Sequence, residues 1–144
     1  MPKVRAGWKK GKYKLDRHEF YSAYHFAMQF NRWKERLFVL GNKSAAKATD
    51  YNSVNVQHSV DNNAVEDIAV ERAELENNIK KVVDSAKESD PELWMWILKA
   101  ATTEGVSYYS LSNPCDGSRA MHCGKDMYYD RRRKFYWVLW HKLV

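Results

Sequence analysis

The chain has 144 residues, which is enough for one compact domain that needs no disulfide or metal for stability. Aromatic residues make up 14% of it, which argues against broad disorder, and its two cysteines set no disulfide framework. No apolar run is long enough to span a membrane, and the first residues lack the apolar core of a secretory signal, so we expect a cytoplasmic protein.

The net charge of +6 is unevenly distributed along the chain. Residues 1–14 carry six basic side chains and no acidic one, whereas residues 61–92 carry ten acidic side chains against four basic ones. Residues 124–144 return to six basic side chains against two acidic ones. Basic ends around an acidic middle suggest that both ends meet a polyanion. The alternative is a solvated surface with a frayed basic tail.

The first helix is predicted to begin after Asp16. This residue suits an N-cap, with Glu19 three residues later, and Leu15 and Phe20 take the positions of a hydrophobic staple. The apolar residues that follow recur at spacings of three and four in two stripes, which indicates a helix buried on more than one side. Gly41-Asn42 is expected to end it.

A polar loop and a second helix are predicted next. Residues 42–63 lack periodicity and contain two clusters rich in Asn and Asp, which is typical of a long loop. A helix is predicted over about residues 64–87, to pack against the first helix or to pair with its own copy in a dimer. Its other face is acidic, and its apolar stripe consists of Val65, Ile68, Leu75, Ile79, Val82 and Ala86.

Three further helices are predicted in the last third of the chain. Asp90 can cap the third, Pro91 suits its first position, and Gly105 is expected to stop it. Ser107 is expected to cap a short helix over residues 108–112. A turn over residues 113–122 then leads to a long basic helix over residues 124–142.

Together these elements predict an all-α fold of about four to five helices that ends in a helix-turn-helix and carries a basic N-terminal arm. We predict three regions along the chain. Residues 1–14 form a mobile basic arm, residues 15–90 a helical hairpin for packing or dimerisation, and residues 91–144 the helix-turn-helix region that binds DNA.

The last helix has a predicted inner face and outer face. With Phe135 at the centre of the inner face, a rotation of about 100° per residue puts Tyr128 and Leu139 beside it, with Met127 and Val138 flanking. Three large aromatic residues take the side that would otherwise face solvent, and we expect the first helix or a second subunit to cover them: Tyr136, Trp137 and Trp140.

The outer face of this helix is the candidate DNA-reading surface, because a recognition helix contacts base edges with its N-terminal residues. The predicted base readers are Lys125, Asp126, Tyr129 and Arg133. The predicted phosphate contacts are Arg132 and Lys134 on the borders of that face, and Lys9, Lys10 and Lys12 in the arm.

Residues 123–136 (CGKDMYYDRRRKFY) resemble the C-terminal helix of phage late-gene transcriptional regulators of the RinA and ArpU type, which end in a tyrosine pair, an arginine cluster and an aromatic pair. The resemblance covers roughly the last forty residues. It implies a helix-turn-helix similar to that of sigma factor region 4, acting on phage or prophage DNA in a bacterial host cell. The connection between Leu111 and Cys123 departs from the pattern, since it is longer than a simple turn.

The sequence therefore predicts a sequence-specific DNA-binding transcriptional regulator and not an enzyme, because no convergent catalytic set or phosphate-binding loop is present. No cofactor is expected. Cys115, His122 and Cys123 lie close in sequence, but a fourth zinc ligand is not evident.

The alternative function is that of a small phage protein-interaction module that binds host RNA polymerase or inhibits a host nuclease. Host RNA polymerase and a second copy of the chain are further candidate partners. RNA binding through the tyrosines is a weaker alternative, because no RNA-module motif accompanies them.

Overall fold

A computed structural model describes residues 11–53 and 58–144, and the side chains of residues 11–42 and 64–144. Within these ranges the secondary structure is helical and contains no strand, which confirms the all-α prediction. Among the described residues, no helix is both long enough and apolar enough to cross a membrane. The six helices of the described ranges are α1 (Arg17–Met28), α2 (Phe30–Ser53), α3 (His58–Ser89), α4 (Trp94–Thr102), α5 (Tyr108–Ser112) and α6 (Lys125–Leu143).

The start of α1 follows the sequence prediction. The backbone N–H of Glu19 donates to the Asp16 carboxylate at 2.8 Å, and the backbone N–H of Asp16 donates to the Glu19 carboxylate at 3.2 Å. The first of these bonds lowers the pKa of Asp16. Leu15 and Phe20 are both buried. The capping box therefore fixes where α1 begins, and the buried pair fixes the direction from which the chain enters it.

The predicted loop over residues 42–63 is wrong where the structure describes the backbone. Helix α2 continues through Gly41 to Ser53, and α3 begins at His58, so of the predicted loop only residues 54–57 lie outside the described backbone. An isolated glycine inside a helix is unfavourable by about 1 kcal/mol relative to alanine, which does not end a helix when no proline follows. Alanines at 45, 46 and 48 are strong helix formers in the segment that was expected to be irregular.

The described residues form two compact units. One consists of residues 11–29 together with Lys81–Val144, and the other is Phe30–Lys80. These boundaries differ from the predicted ones at residues 14 and 90. Within the second unit, the Arg36 guanidinium binds both carboxylate oxygens of Glu71, at 2.7 Å and 3.3 Å, and this hydrogen bonding raises the pKa of Arg36. This exposed bidentate pair connects α2 to α3.

The first unit has a core formed mainly by α1, α4 and α6. Helix α1 contacts α6 more extensively than any other pair of helices in the described ranges. The Phe20 ring meets the Tyr136 ring edge-on, with centroids 5.2 Å apart. The end of α3 contributes Val82 and Ala86 to the buried set. The fully buried side chains of α6 are Tyr128, Phe135, Tyr136 and Leu139.

The predicted inner face of α6 is confirmed for Tyr128, Phe135 and Leu139. Tyr136 is buried as well, as expected for an aromatic residue that other parts of the protein cover. Met127 is the exception, because it was predicted to flank the inner face and is 45% exposed. The buried face of α6 is rotated toward Tyr136, because α1 packs there. Met127 lies on the opposite edge of that face and is therefore exposed.

Asp90 connects the end of α3 to α6. One of its carboxylate oxygens accepts the backbone N–H groups of Glu92 at 2.8 Å and Leu93 at 3.0 Å. The other oxygen lies 3.3 Å from Nε of Arg131. Asp90 itself is buried. Asp90 therefore caps the turn over residues 91–93, whereas α4 itself begins at Trp94 with Leu93 as its N-cap, later than the predicted start at Pro91. The same Asp90 side chain holds α6 beside the start of α4.

The buried face of α6 can be tested by truncating its central aromatic residue. We expect Phe135→Ala to lower the free energy of unfolding by about 3–5 kcal/mol, because it leaves a cavity in the core. Met127→Ala, on an exposed position of the same helix, is the matched control and should change stability by less than about 0.5 kcal/mol. Urea denaturation of both variants is the measurement. Equal losses would contradict this orientation of α6.

Candidate nucleic-acid interface

Helix α5 and the connection that follows it hold the N-terminus of α6 in place. The hydroxyl of Tyr108 donates to the carbonyl oxygen of Cys123 at 2.7 Å. The backbone N–H of Met121 donates to the carbonyl oxygen of Leu111 at 2.9 Å. The Tyr108 and Tyr128 rings lie 5.6 Å apart. Hydrogen bonds to α5 therefore hold the connection over residues 113–124 in place, although it is longer than the turn of a simple helix-turn-helix.

The predicted readers at the start of α6 occupy different surroundings. The ammonium group of Lys125 lies 3.3 Å from the Tyr109 hydroxyl and 5.2 Å from the centre of that ring, so it is directed toward α5. Asp126 is exposed. Tyr129 is half-buried, with its ring edge-on to Tyr128 at 5.1 Å. Asp126 and Lys125 are therefore open to solvent, whereas part of Tyr129 is packed against its neighbour.

The three consecutive arginines point in three directions. Arg131 lies beside Asp90 and 3.7 Å from Asp130, and Arg133 lies 3.7 Å from the other oxygen of Asp130. Arg132 instead packs on the Tyr136 ring, 5.9 Å from its centre, and its Nε atom is buried. The structure thus places Arg132 against the core and not on the border of the outer face. Arg133 remains on the outer face, half-buried beside an acidic neighbour.

The segment before α1 meets the outer face of α6 at one cluster. The Tyr13 ring lies edge-on to Trp137, with centroids 5.7 Å apart. The ammonium groups of Lys12 and Lys134 lie 5.6 Å and 5.9 Å from the centre of the Tyr13 ring. We call these four residues the Tyr13 cluster. It brings together a lysine of the predicted arm and a lysine of α6, whereas residues 1–10, with Lys9 and Lys10, lie outside the described residues.

The Tyr13 cluster was not predicted from the sequence. Tyr13 was assigned to a mobile tail, and Trp137 was expected to be covered by the first helix or by a second subunit. The available signal was the presence of one aromatic residue in the basic tail just before a strong N-cap, together with an uncovered tryptophan on α6. Trp140 is similarly half-buried, with the His18 ring edge-on at 6.4 Å. The beginning of the described chain therefore covers part of the aromatic side of α6.

The cysteines and His122 do not form a metal-binding group. Cys115 and His122 are exposed and Cys123 is half-buried. In the part of the chain that the structure describes, no three His, Cys, Asp or Glu side chains are grouped so that they could hold a metal ion. Burial raises the pKa of the Cys123 thiol, and the nearby Asp90 adds to the effect.

Burial raises the pKa of Tyr128 to about 12, and the nearby Arg132 cation only partly opposes this rise. Between pH 10 and 12 the folded protein retains this proton while the unfolded chain releases it, so stability must fall as pH rises. We expect the wild-type protein to lose about 1 kcal/mol through this group between pH 9 and 11, and Tyr128→Phe to remove that loss. Denaturant unfolding at both pH values is the measurement, and identical pH dependence of the two proteins would contradict the expectation.

Comparisons of the chain with protein-family models, with curated proteins and with solved structures find no match. Two features of the chain itself therefore indicate its function. These are the contacts that orient α6, and the Tyr13 cluster that joins the segment before α1 to the outer face of α6.

Proposed function

We propose that this protein is a sequence-specific DNA-binding transcriptional regulator, encoded by a phage or prophage, that binds duplex DNA with α6. The observation that supports the proposal most is the Tyr13 cluster, where Lys12 and Lys134 flank one tyrosine. Four further basic residues precede this point in the sequence: Lys3, Arg5, Lys9 and Lys10. The basic segment therefore joins the described chain beside α6. In this proposal the segment and α6 contact the phosphates of the same duplex.

The outer face of α6 offers chemistry that suits base and phosphate contacts. Arg133 can bind a guanine edge with two hydrogen bonds, and Asp126 can accept one from a cytosine amino group. The pair between Arg133 and Asp130 is 3.7 Å long and partly exposed, so it is weak enough for a nucleic-acid group to replace. In this proposal α5 and α6 are the two helices of the helix-turn-helix, with α6 as the recognition helix, as the resemblance to the RinA and ArpU type of regulator implies.

The second candidate function is a protein-interaction module that binds host RNA polymerase or inhibits a host nuclease. One observation favours it. The unit formed by Phe30–Lys80 carries exposed apolar side chains, with Phe38 71% exposed and Val70 59% exposed. A protein partner, such as a second copy of the chain, would cover these side chains if they belonged to one contiguous apolar patch. The two candidates differ in whether purified protein alone binds duplex DNA selectively.

Selection from random duplex DNA, followed by affinity measurements on the selected site, tests the proposal. We expect Arg133→Ala to weaken binding to the selected duplex by about 1–3 kcal/mol and to relax base preference at one position. Lys134→Gln should instead weaken selected and unrelated duplexes alike and reduce the salt slope by about one. Lys99→Gln, an exposed lysine on α4, is the matched control and should change neither.

Two results would count against the proposal. The first is that no sequence is enriched in the selection. The second is that Lys99→Gln weakens binding as much as Lys134→Gln, which would mean that any surface lysine serves equally. Binding of a host protein by the same preparation, without duplex binding, would favour the interaction module instead.

The contribution of the basic segment can be measured separately. We expect removal of residues 1–10 to weaken binding to selected and unrelated duplexes alike, and to reduce the salt slope by up to about four, since four basic side chains are lost. A full-length variant with these four bases replaced by glutamine controls for chain length and should behave as the truncation does. An unchanged salt slope in the glutamine variant would show that the segment does not contact phosphates.

A further inference from the structure

A cavity of about 350 Å³ lies in the first unit, bordered by α1, α4, α6 and the residues that follow α4. Its floor and walls combine apolar, hydroxyl and charged side chains. They include Tyr24 and Met28 from α1, Thr103, Glu104 and Val106 after α4, and Arg132 from α6. The cavity lies beside Arg132, away from the Tyr13 cluster, and the proposed DNA contacts do not use it.

Arg132 differs from the arginines on either side of it because no carboxylate neutralises it. Arg131 and Arg133 both have an aspartate within 4 Å, whereas no ion pair joins Arg132 to any acidic side chain among the described residues. Its Nε atom is buried, and the guanidinium is hydrogen-bonded to the Tyr136 side chain, which is neutral, so the cation has a polar partner and no anionic one. A cation withdrawn from water without an anionic partner is unfavourable, and most buried charges in proteins are paired.

We propose that this cavity binds a small oxyanion, a carboxylate or a phosphate group, and that Arg132 is its principal ligand. A guanidinium presents several donors in a planar arrangement that matches two oxygens of such a group. Tyr24 and Thr103 also line the cavity, and each carries a hydroxyl group, which is a hydrogen-bond donor suited to an oxyanion.

Charge on the cavity wall sets how tightly an anion can bind. Of the wall residues on α1, α4 and α6, Arg132 is the charged one, and Glu104 is the charged residue in the segment after α4. Glu104 is exposed and forms no ion pair with Arg132, so at neutral pH its carboxylate repels an entering anion through partly hydrated space. The cavity therefore suits weak, reversible binding, and removal of the Glu104 charge should strengthen it.

To test this proposal, the intact chain is titrated with inorganic phosphate and, separately, with acetate. Sodium chloride keeps the ionic strength constant in both titrations. The readout is the ¹⁵N–¹H resonance of the Arg132 side-chain Nε–H group, with calorimetry as a second measurement. We expect a saturable one-to-one shift with at least one of the two anions, which also identifies the preferred chemistry. A shift no larger than that in the sodium chloride control, for both anions, would overturn the proposal.

Two variants and a control make the assignment specific. Arg132→Met should abolish saturable binding, Glu104→Gln should strengthen it roughly two- to fivefold, and Lys99→Gln outside the cavity should leave it unchanged. If Arg132→Met does not fold, Glu104→Gln decides the question, and an affinity equal to that of the wild-type protein overturns the proposal.

The duplex assay separates this site from the DNA surface. Glu104→Gln, which lies outside α6 and outside the proposed DNA surface, should bind duplex DNA as the wild-type protein does. A loss of duplex affinity in Arg132→Met equal to that in Lys134→Gln would mean that Arg132 meets a DNA phosphate, and the inference of a separate anion site would be wrong. A failure of duplex binding in every variant and in the wild-type protein would contradict the proposed function and leave the anion titration to decide the cavity by itself.

Discussion

The packing of α1 against α6 is the contact on which the first unit depends. The Phe20 and Tyr136 rings meet inside it, and both side chains are almost fully withdrawn from water. Burial of side chains of this size contributes on the order of 2 kcal/mol each, which is enough to fix the rotation of both helices. Once α6 is held this way, its outer face and the cavity beside Arg132 have determined positions.

The same packing explains how the Tyr13 cluster arises. The capping box at Asp16 fixes the first residue of α1, so the residues just before it leave the helix at a defined place. That place lies beside the second half of α6, where Trp137 is only partly covered. An aromatic residue three positions before the cap can therefore reach the tryptophan, and the lysine next to it comes to the surface of α6.

A run of basic residues in a helix does not make one basic surface. Successive residues are rotated by about 100°, so three consecutive arginines must face three directions. Here Arg131 is directed to Asp90, Arg132 to Tyr136 and Arg133 to the outer face. The outer face is consequently less basic than the sequence of α6 implies, and Asp126 and Asp130 reduce its charge further.

Local signals in the sequence predicted helix starts and faces well. The caps at Asp16 and Ser107 depend only on residues within a few positions, and the structure confirms both of them. The inner face of α6 follows from helical periodicity. The surroundings of Arg132 could not be predicted, because they depend on which helix covers Tyr136. The helical backbone of residues 42–53 was missed because their polar composition suggested a loop, although alanine and lysine there favour a helix.

The division of the first unit between two distant stretches of sequence has a consequence for the order of folding. Phe30–Lys80 must be synthesised between α1 and the helices that cover it, so Phe20 and Ala23 have no α6 to pack against until late in synthesis. The entropy of closing so long a loop rises only slowly with its length, but contacts between distant residues slow folding. Helix α1 therefore emerges with its apolar face exposed, and that face stays open to water until α6 has been synthesised.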